Sequence, residues 1–145
     1  MYIHESRYKK IQFLNGKTKS FISWICPLLK PTTFEQNQFI YMEGDDVNNI
    51  YFLIKGMAAF VLPSYENTSY IEINSGNHFG VMDIIGSVVT NSEVEFENWF
   101  IHKDIIHRQF TIMAKKQIEV LTLSIGDLNR MKLEFFETYD SLFDE

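Results

Sequence analysis

Cysteine is all but missing. Cys26 stands alone in 145 residues, which excludes an intramolecular disulfide and every zinc framework built on several cysteines, and fits a reducing compartment. Long apolar runs are missing as well. The best, Phe21–Leu29, contains Ser23 and Pro27 and falls well short of the ~18–20 residues a helix needs to cross a bilayer. Behind Glu5 and the early basic residues no apolar stretch follows, so a secretory leader is not expected. In that setting the match of Asn67-Thr68-Ser69 to the glycosylation pattern reads as accidental. An excess of positive charge is the third absence. The net charge is −6 and the pI about 5.2, which disfavours a free-standing nucleic-acid binder, because that role needs a basic footprint.

What the chain does have is apolar and aromatic material. Hydrophobic residues make up 46% and aromatics 15% of it, with 13 Phe and 7 Tyr, enough for one packed core and against intrinsic disorder. The length suits one domain. Charge is divided unevenly. Residues 1–33 carry Arg7, Lys9, Lys10, Lys17, Lys19 and Lys30 against Glu5, a net of +5, which leaves −11 for the remainder. A basic arm on an acidic body suits proximity to an anionic lipid surface or an acidic partner; a first helix with a solvated face accounts for it equally well.

The hydrophobic period changes along the chain. Tyr8, Ile11 and Leu14 lie at helical spacing and Asn15-Gly16 closes that run; Phe21, Ile22, Ile25, Leu28 and Leu29 continue as a second helix from about Lys17, ended by Pro31. Beyond it come short β-branched and aromatic runs: Phe39-Ile40-Tyr41, Ile50–Ile54, Ala58–Leu62 and Tyr70–Ile73. Turn clusters such as Gly44-Asp45-Asp46, Lys55-Gly56, Glu66-Asn67 and Asn74–Asn77 separate them. That is the pattern of closely spaced antiparallel strands. Gly80–Gly86 suggests one short helical turn, and residues 87–107 a long acidic loop, a length that is usually functional or disordered. Strands resume at Phe110–Ala114 and Ile118–Leu123. Ser124 with Asp127 then resembles a capping box, opening a single amphipathic helix through Leu128, Met131, Phe135, Tyr139 and Leu142. The expected domain is α+β: an eight-stranded antiparallel roll, jelly-roll-like (a double-stranded β-helix), over residues 33–124, between a helical segment 1–32 and a C-terminal helix 125–145.

Four words carry a family likeness: Tyr41-Met42-Glu43-Gly44-Asp45, Ile50–Gly56, Gly76-Asn77-His78-Phe79-Gly80 and Arg108–Ala114. In this order, with helices at both ends, the chain resembles the cyclic nucleotide-binding domain family over nearly its whole length. Where the family has a Pro-Gly turn stands Gln36-Asn37, and Asn tolerates left-handed backbone well. Phe13-Leu14-Asn15, the helix after it and Leu28-Leu29-Lys30-Pro31 are similar to the segment preceding the roll in voltage-gated cation channels of the cyclic-nucleotide-gated and related potassium-type groups. A helix-turn-helix, which the family's bacterial transcription regulators carry, is not expected after the one C-terminal helix.

The resemblance implies a cytosolic regulatory domain at the membrane, a cAMP or cGMP ligand, and a parent channel or protein partner as its context. It implies a phosphate-cassette helix over 80–86 that offers free backbone N–H groups to an anion, and an arginine clamp. The corresponding residues are Phe79, Gly80, Val81, Met82, Asp83 and Ile84, with Arg108, Gln109 and Phe110. Three of them depart from the family. Val81 stands where a Glu binds the ribose hydroxyl, a loss of about 2–3 kcal/mol or roughly 30- to 150-fold in affinity. Asp83 would repel a phosphate or itself occupy Arg108, and Phe110 replaces a small Ala. Only Phe135–Glu145 remain for the family's lid helix, so either the lid is truncated or the parent protein continues beyond residue 145. Val81, Asp83 and Phe110 motivate the alternative: a nucleotide-free interaction module, with Trp99 and Phe100 of the long loop as its contact element. Catalysis is not expected. His78, His102 and His107 lack metal-ligand spacing, which also removes a cupin-type enzyme, and no nucleophile elbow, P-loop or dinucleotide fingerprint is present. Tyr41, Tyr51, Phe52 and Phe60 read as core rather than as a cofactor box.

Overall fold

The computed structural model describes residues 10–81 and 107–144. Among the described residues eight antiparallel strands form two four-stranded sheets, and the expected roll with flanking helices is the fold observed. In chain order the strands are β1 (Lys30–Phe34), β2 (Phe39–Tyr41), β3 (Asn49–Lys55), β4 (Met57–Leu62), β5 (Thr68–Asn74), β6 (His78–Phe79), β7 (Thr111–Ala114) and β8 (Ile118–Ser124). One sheet runs β1-β8-β3-β6 and the other β2-β7-β4-β5. The last two strands therefore enter the middle of both sheets.

Strand alternation divides the core into two large parts and a small third one of Ala59, Val61 and Met113 with Phe39. From β3, Tyr51 and Leu53 turn into the roll, where they meet Ile40, Ala58, Phe60, Ile73, Phe79, Ile112, Ile118 and Val120. Ile50, Phe52 and Ile54 turn the other way, onto the helices. A strand covered on both faces reads as an unbroken apolar run, which is why Ile50–Ile54 shows no polar alternation. The helical side is filled by Phe13, Phe21, Ile25 and Leu29 from the N-terminal segment and by Leu128, Met131 and Leu142 from the C-terminal one.

Helix α1 (Lys19–Ile25) starts at Thr18, whose Oγ1 accepts the Phe21 N–H at 3.2 Å. The helix expected over Tyr8–Leu14 is, in its described part, only a 3₁₀ turn at Gln12–Leu14. At the other end Ser124 Oγ accepts the Asp127 N–H at 3.1 Å and opens α2 (Ile125–Glu134). The single C-terminal helix expected from the spacing is in fact two. Phe135 leaves helical dihedrals (φ −138, ψ 59) and α3 (Phe136–Asp144) follows. The Phe135 ring packs edge-on to Phe21 at 5.2 Å and against Trp24 at 5.3 Å. Apolar spacing alone does not register such a break, because Phe135, half-buried against the helix-side core, keeps its place in the apolar pattern across it. Gln36-Asn37 makes its turn with Asn37 at φ +67. Among the described residues no helix is long and apolar enough to cross a membrane.

Candidate functional site

The four words converge on one side chain. The backbone of the first is zipped to that of the last: Gly44 N–H donates to the Arg108 carbonyl at 2.8 Å, Arg108 N–H to the Asp45 carbonyl at 2.7 Å, and Glu43 N–H to Thr111 Oγ1 at 2.9 Å. The second and third are joined in the same way, Gly76 N–H donating to Leu53 at 2.7 Å and Leu53 N–H to Asn77 at 2.9 Å. These bonds bring the start of β7 beside the end of β6, across a stretch of chain from 82 to 106.

Arg108 fills the junction. Its Nη1 donates to the Gly80 carbonyl at 2.9 Å and its Nη2 to the Asn49 carbonyl at 2.5 Å. Tyr41 lies against the guanidinium at 3.9 Å from ring centroid to Cζ, with Tyr51 at 5.7 Å. Phe79 completes the box, stacked on Tyr51 at 5.1 Å and tilted to Tyr41 at 6.3 Å. Only 2% of Arg108 is exposed. A buried cation is costly unless it is hydrogen-bonded; two carbonyl dipoles and an aromatic face supply that here. The electrostatics mark the neighbour too. Burial pushes the Tyr51 hydroxyl above the ordinary tyrosine value, opposed by the Arg108 charge and by hydrogen bonding with Asn49 and Arg108. Gly80 is there for room as well as for its φ of +98, since a Cβ would stand 3.1 Å from Arg108 Nη1.

Of the residues the sequence nominated, Phe79, Gly80 and Arg108 are brought together. Val81 is buried in the helix-side core. Phe110, half-buried, packs edge-on to Phe60 at 5.5 Å, and Gln109 is exposed. Met82, Asp83 and Ile84 lie outside the described residues, as do most of the helix expected at 80–86, the 87–107 loop short of His107, and Trp99, Phe100 and His102. Sequence reasoning missed Tyr41, Asn49 and Tyr51 as parts of the site. The usable signal was the phenol at two strand positions where Phe would have packed as well; Asn49 contributes its backbone carbonyl and leaves no signal. His107, beside Arg108 in sequence, pairs with Asp46 at 3.3 Å in the open, a contact of little energetic weight. Among the described residues no group of three or more His, Cys, Asp or Glu could hold a metal ion.

The chain matches no protein-family model and no curated protein sequence. Solved structures do resemble it. A candidate cyclic nucleotide-binding protein from Geobacter metallireducens aligns with a TM-score of 0.69 at 16% identity, over 96% of this chain and 89% of that one. The fold is that of a cyclic nucleotide-binding domain. A regulatory subunit of a cAMP-independent protein kinase A from Trypanosoma brucei aligns with a TM-score of 0.64, also at 16% identity, over 97% of this chain and 48% of its own. This chain thus spans about half the length of the trypanosome subunit. On the cyclic nucleotide-binding fold the Arg108 box lies where the roll's β6 ends and β7 begins.

Proposed function

We propose that this chain is a regulatory sensor domain of the cyclic nucleotide-binding type, the cytosolic part of a cation channel of the potassium type, and that it binds cAMP or cGMP weakly. The observation that supports this reading is the meeting of Arg108 with Gly80, two residues 28 apart in the chain, at the position where the resemblance puts the nucleotide phosphate. A guanidinium fixed in a desolvated aromatic box is a strong anion site once an anion reaches it. Weakness follows from two features. Val81 is packed in the core and offers no acceptor to a ribose hydroxyl, and the guanidinium is closed to solvent, so a phosphate must first draw it from its carbonyl partners. Occupancy then biases the packing of the terminal helices, by as much as the ligand's affinity differs between the two arrangements. The basic N-terminal arm and the channel-like segment Phe13–Pro31 support the membrane-side context.

A second reading has its own observation. Arg108 is hydrogen-bonded to two main-chain carbonyls and covered by Tyr41, as in a domain that keeps its cation for internal use and acts through protein contacts. That the trypanosome neighbour is named for cAMP independence lends this reading weight. Calorimetric titration with cAMP and cGMP, on the wild type and on Arg108→Ala, separates the two. The sensor predicts saturable heat at or below ~1 mM nucleotide that the substitution removes. Absence of heat at that concentration favours the interaction module.

A further inference from the structure

We infer that His78 is a positioning residue that links the Arg108 box to helix α3. The two residues of β6 face opposite ways, as strand alternation requires. Phe79 stacks on Tyr51 inside the roll, next to the guanidinium. His78 stands on the helix side, its ring 5.9 Å from Phe13 and 6.0 Å from Phe52, with Nε2 at 3.1 Å from the Leu142 carbonyl oxygen. A carbonyl only accepts, so Nε2 carries the proton and donates it. Leu142 belongs to the last turn of α3, where carbonyls have no partner within the helix, and its side chain is fully buried.

One short segment therefore holds both ends of the connection. At Gly80 its carbonyl takes Arg108 Nη1; at His78 its ring caps α3. Strand β6 is joined to β3 at two residue pairs, Tyr51↔Phe79 and Phe52↔His78, and is anchored just before them by the bonds of Gly76 and Asn77 to Leu53, so the short stretch from His78 to Gly80 can shift about that anchor with little of the sheet disturbed. Whatever draws the guanidinium from Gly80 loosens the far end of β6 and takes the donor away from Leu142. The reverse holds with equal strength, because coupling between two sites is reciprocal. This inference rests on the anion-sensor reading only for what draws the guanidinium; the connection itself belongs to the structure.

The test is amide hydrogen exchange across α3 in the wild type, Tyr51→Phe, His78→Phe and the double variant. Tyr51→Phe keeps the stacked ring and removes the hydroxyl beside Arg108, while His78→Phe keeps the packing between Phe13 and Phe52 and removes the donor. The loss of one hydrogen bond predicts α3 exchange about 5- to 10-fold faster in His78→Phe, partly restored in His78→Gln, which retains a donor. Tyr51→Phe should speed α3 exchange in the wild-type background and change nothing further once His78 is gone. Equal effects in both backgrounds, or none in either, overturn the inference. Added cAMP should alter α3 exchange in the wild type and not in His78→Phe. If cAMP binds and α3 is unmoved, the inference falls and the nucleotide-binding part of the sensor reading stands. If cAMP does not bind but the Tyr51 effect depends on His78, the connection stands and the sensor reading falls.

Discussion

Replacing Arg108 with lysine tests whether the guanidinium holds the ligand-free roll together. A solvent-facing clamp kept for a nucleotide could lose its fork at no cost to the empty protein. The structure predicts otherwise. Nη1 and Nη2 reach two separate carbonyls, at 2.9 and 2.5 Å, and a planar face lies 3.9 Å from the Tyr41 centroid. An ammonium keeps the charge, but it is a compact donor on a flexible stem without the guanidinium's preorganised fork or planar face. If it holds one carbonyl, the other is left buried and unsatisfied, at about 1–3 kcal/mol. The lost stacking on tyrosine adds roughly 0.5–1 kcal/mol. Together these give about 2–4 kcal/mol, a large part of the 5–15 kcal/mol by which domains are usually stable. In urea, with a slope of about 2 kcal/mol/M, the midpoint should fall by about 1–2 M without change of slope. Arg108→Met, similar in volume and uncharged, should fall at least as far because both carbonyls lose their donor. A shift of Arg108→Lys within ~0.5 kcal/mol of wild type, the range of an ordinary surface change, would refute the reasoning.

Two further outcomes follow from local geometry. At Gly56, φ is +96 and a Cβ would come 2.5 Å from the Gln117 carbonyl and 2.8 Å from Ile118 Cγ2, whereas Gly44, at φ +94, has nothing within 4 Å. Backbone strain alone should cost Gly44→Ala about 1–3 kcal/mol, and Gly56→Ala about 1–3 kcal/mol more for the overlap, read as the difference between their melting temperatures; equal losses would show that the Gln117 turn yields freely. Tyr51 makes a pH prediction. Its folded value lies above the ordinary 10.0, chiefly through burial, so the folded state retains the proton longer than the unfolded chain. The associated stability is full below pH 10 and is lost as the pH rises from there through the raised value. Absorbance titration should show Tyr51 ionising later in the wild type, and Tyr51→Phe should flatten the alkaline loss of stability; an unchanged alkaline limb would count against the burial argument.

The roll was legible because its punctuation is chemical. Glycine at 44, 56, 76 and 80 and asparagine at 37 each take a positive φ, and between them stand short apolar runs with the texture of strands. The site was legible only where a motif named a residue, as for Arg108 and Gly80. Tyr41 and Tyr51 look like core because they are core; they become part of the site through the direction in which strand alternation points them, and that depends on register, which composition does not carry. The broken C-terminal helix escaped for a related reason. Phe135 keeps its apolar spacing across the break, and its contacts there with Phe21 and Trp24 are tertiary, which spacing does not carry. Asn49 acts through its carbonyl, which every residue type has.

Strand order carries a consequence for how the chain must be made. Among the described residues β1 is hydrogen-bonded to β8 alone and β2 to β7 alone, and β7 and β8 follow the other six strands in the sequence. While residues beyond 110 are still inside the ribosome, the described strands that have emerged can close two pairs with each other, β3 with β6 and β4 with β5. β1 and β2 wait with open edges, and each sheet lacks the inner strand that joins its two halves. Assembly is therefore held back until β7 and β8 have emerged, since these distant pairings carry the entropic cost of closing long loops. Truncation before β8 should leave a chain with unpaired edges and a tendency to aggregate rather than a smaller stable domain.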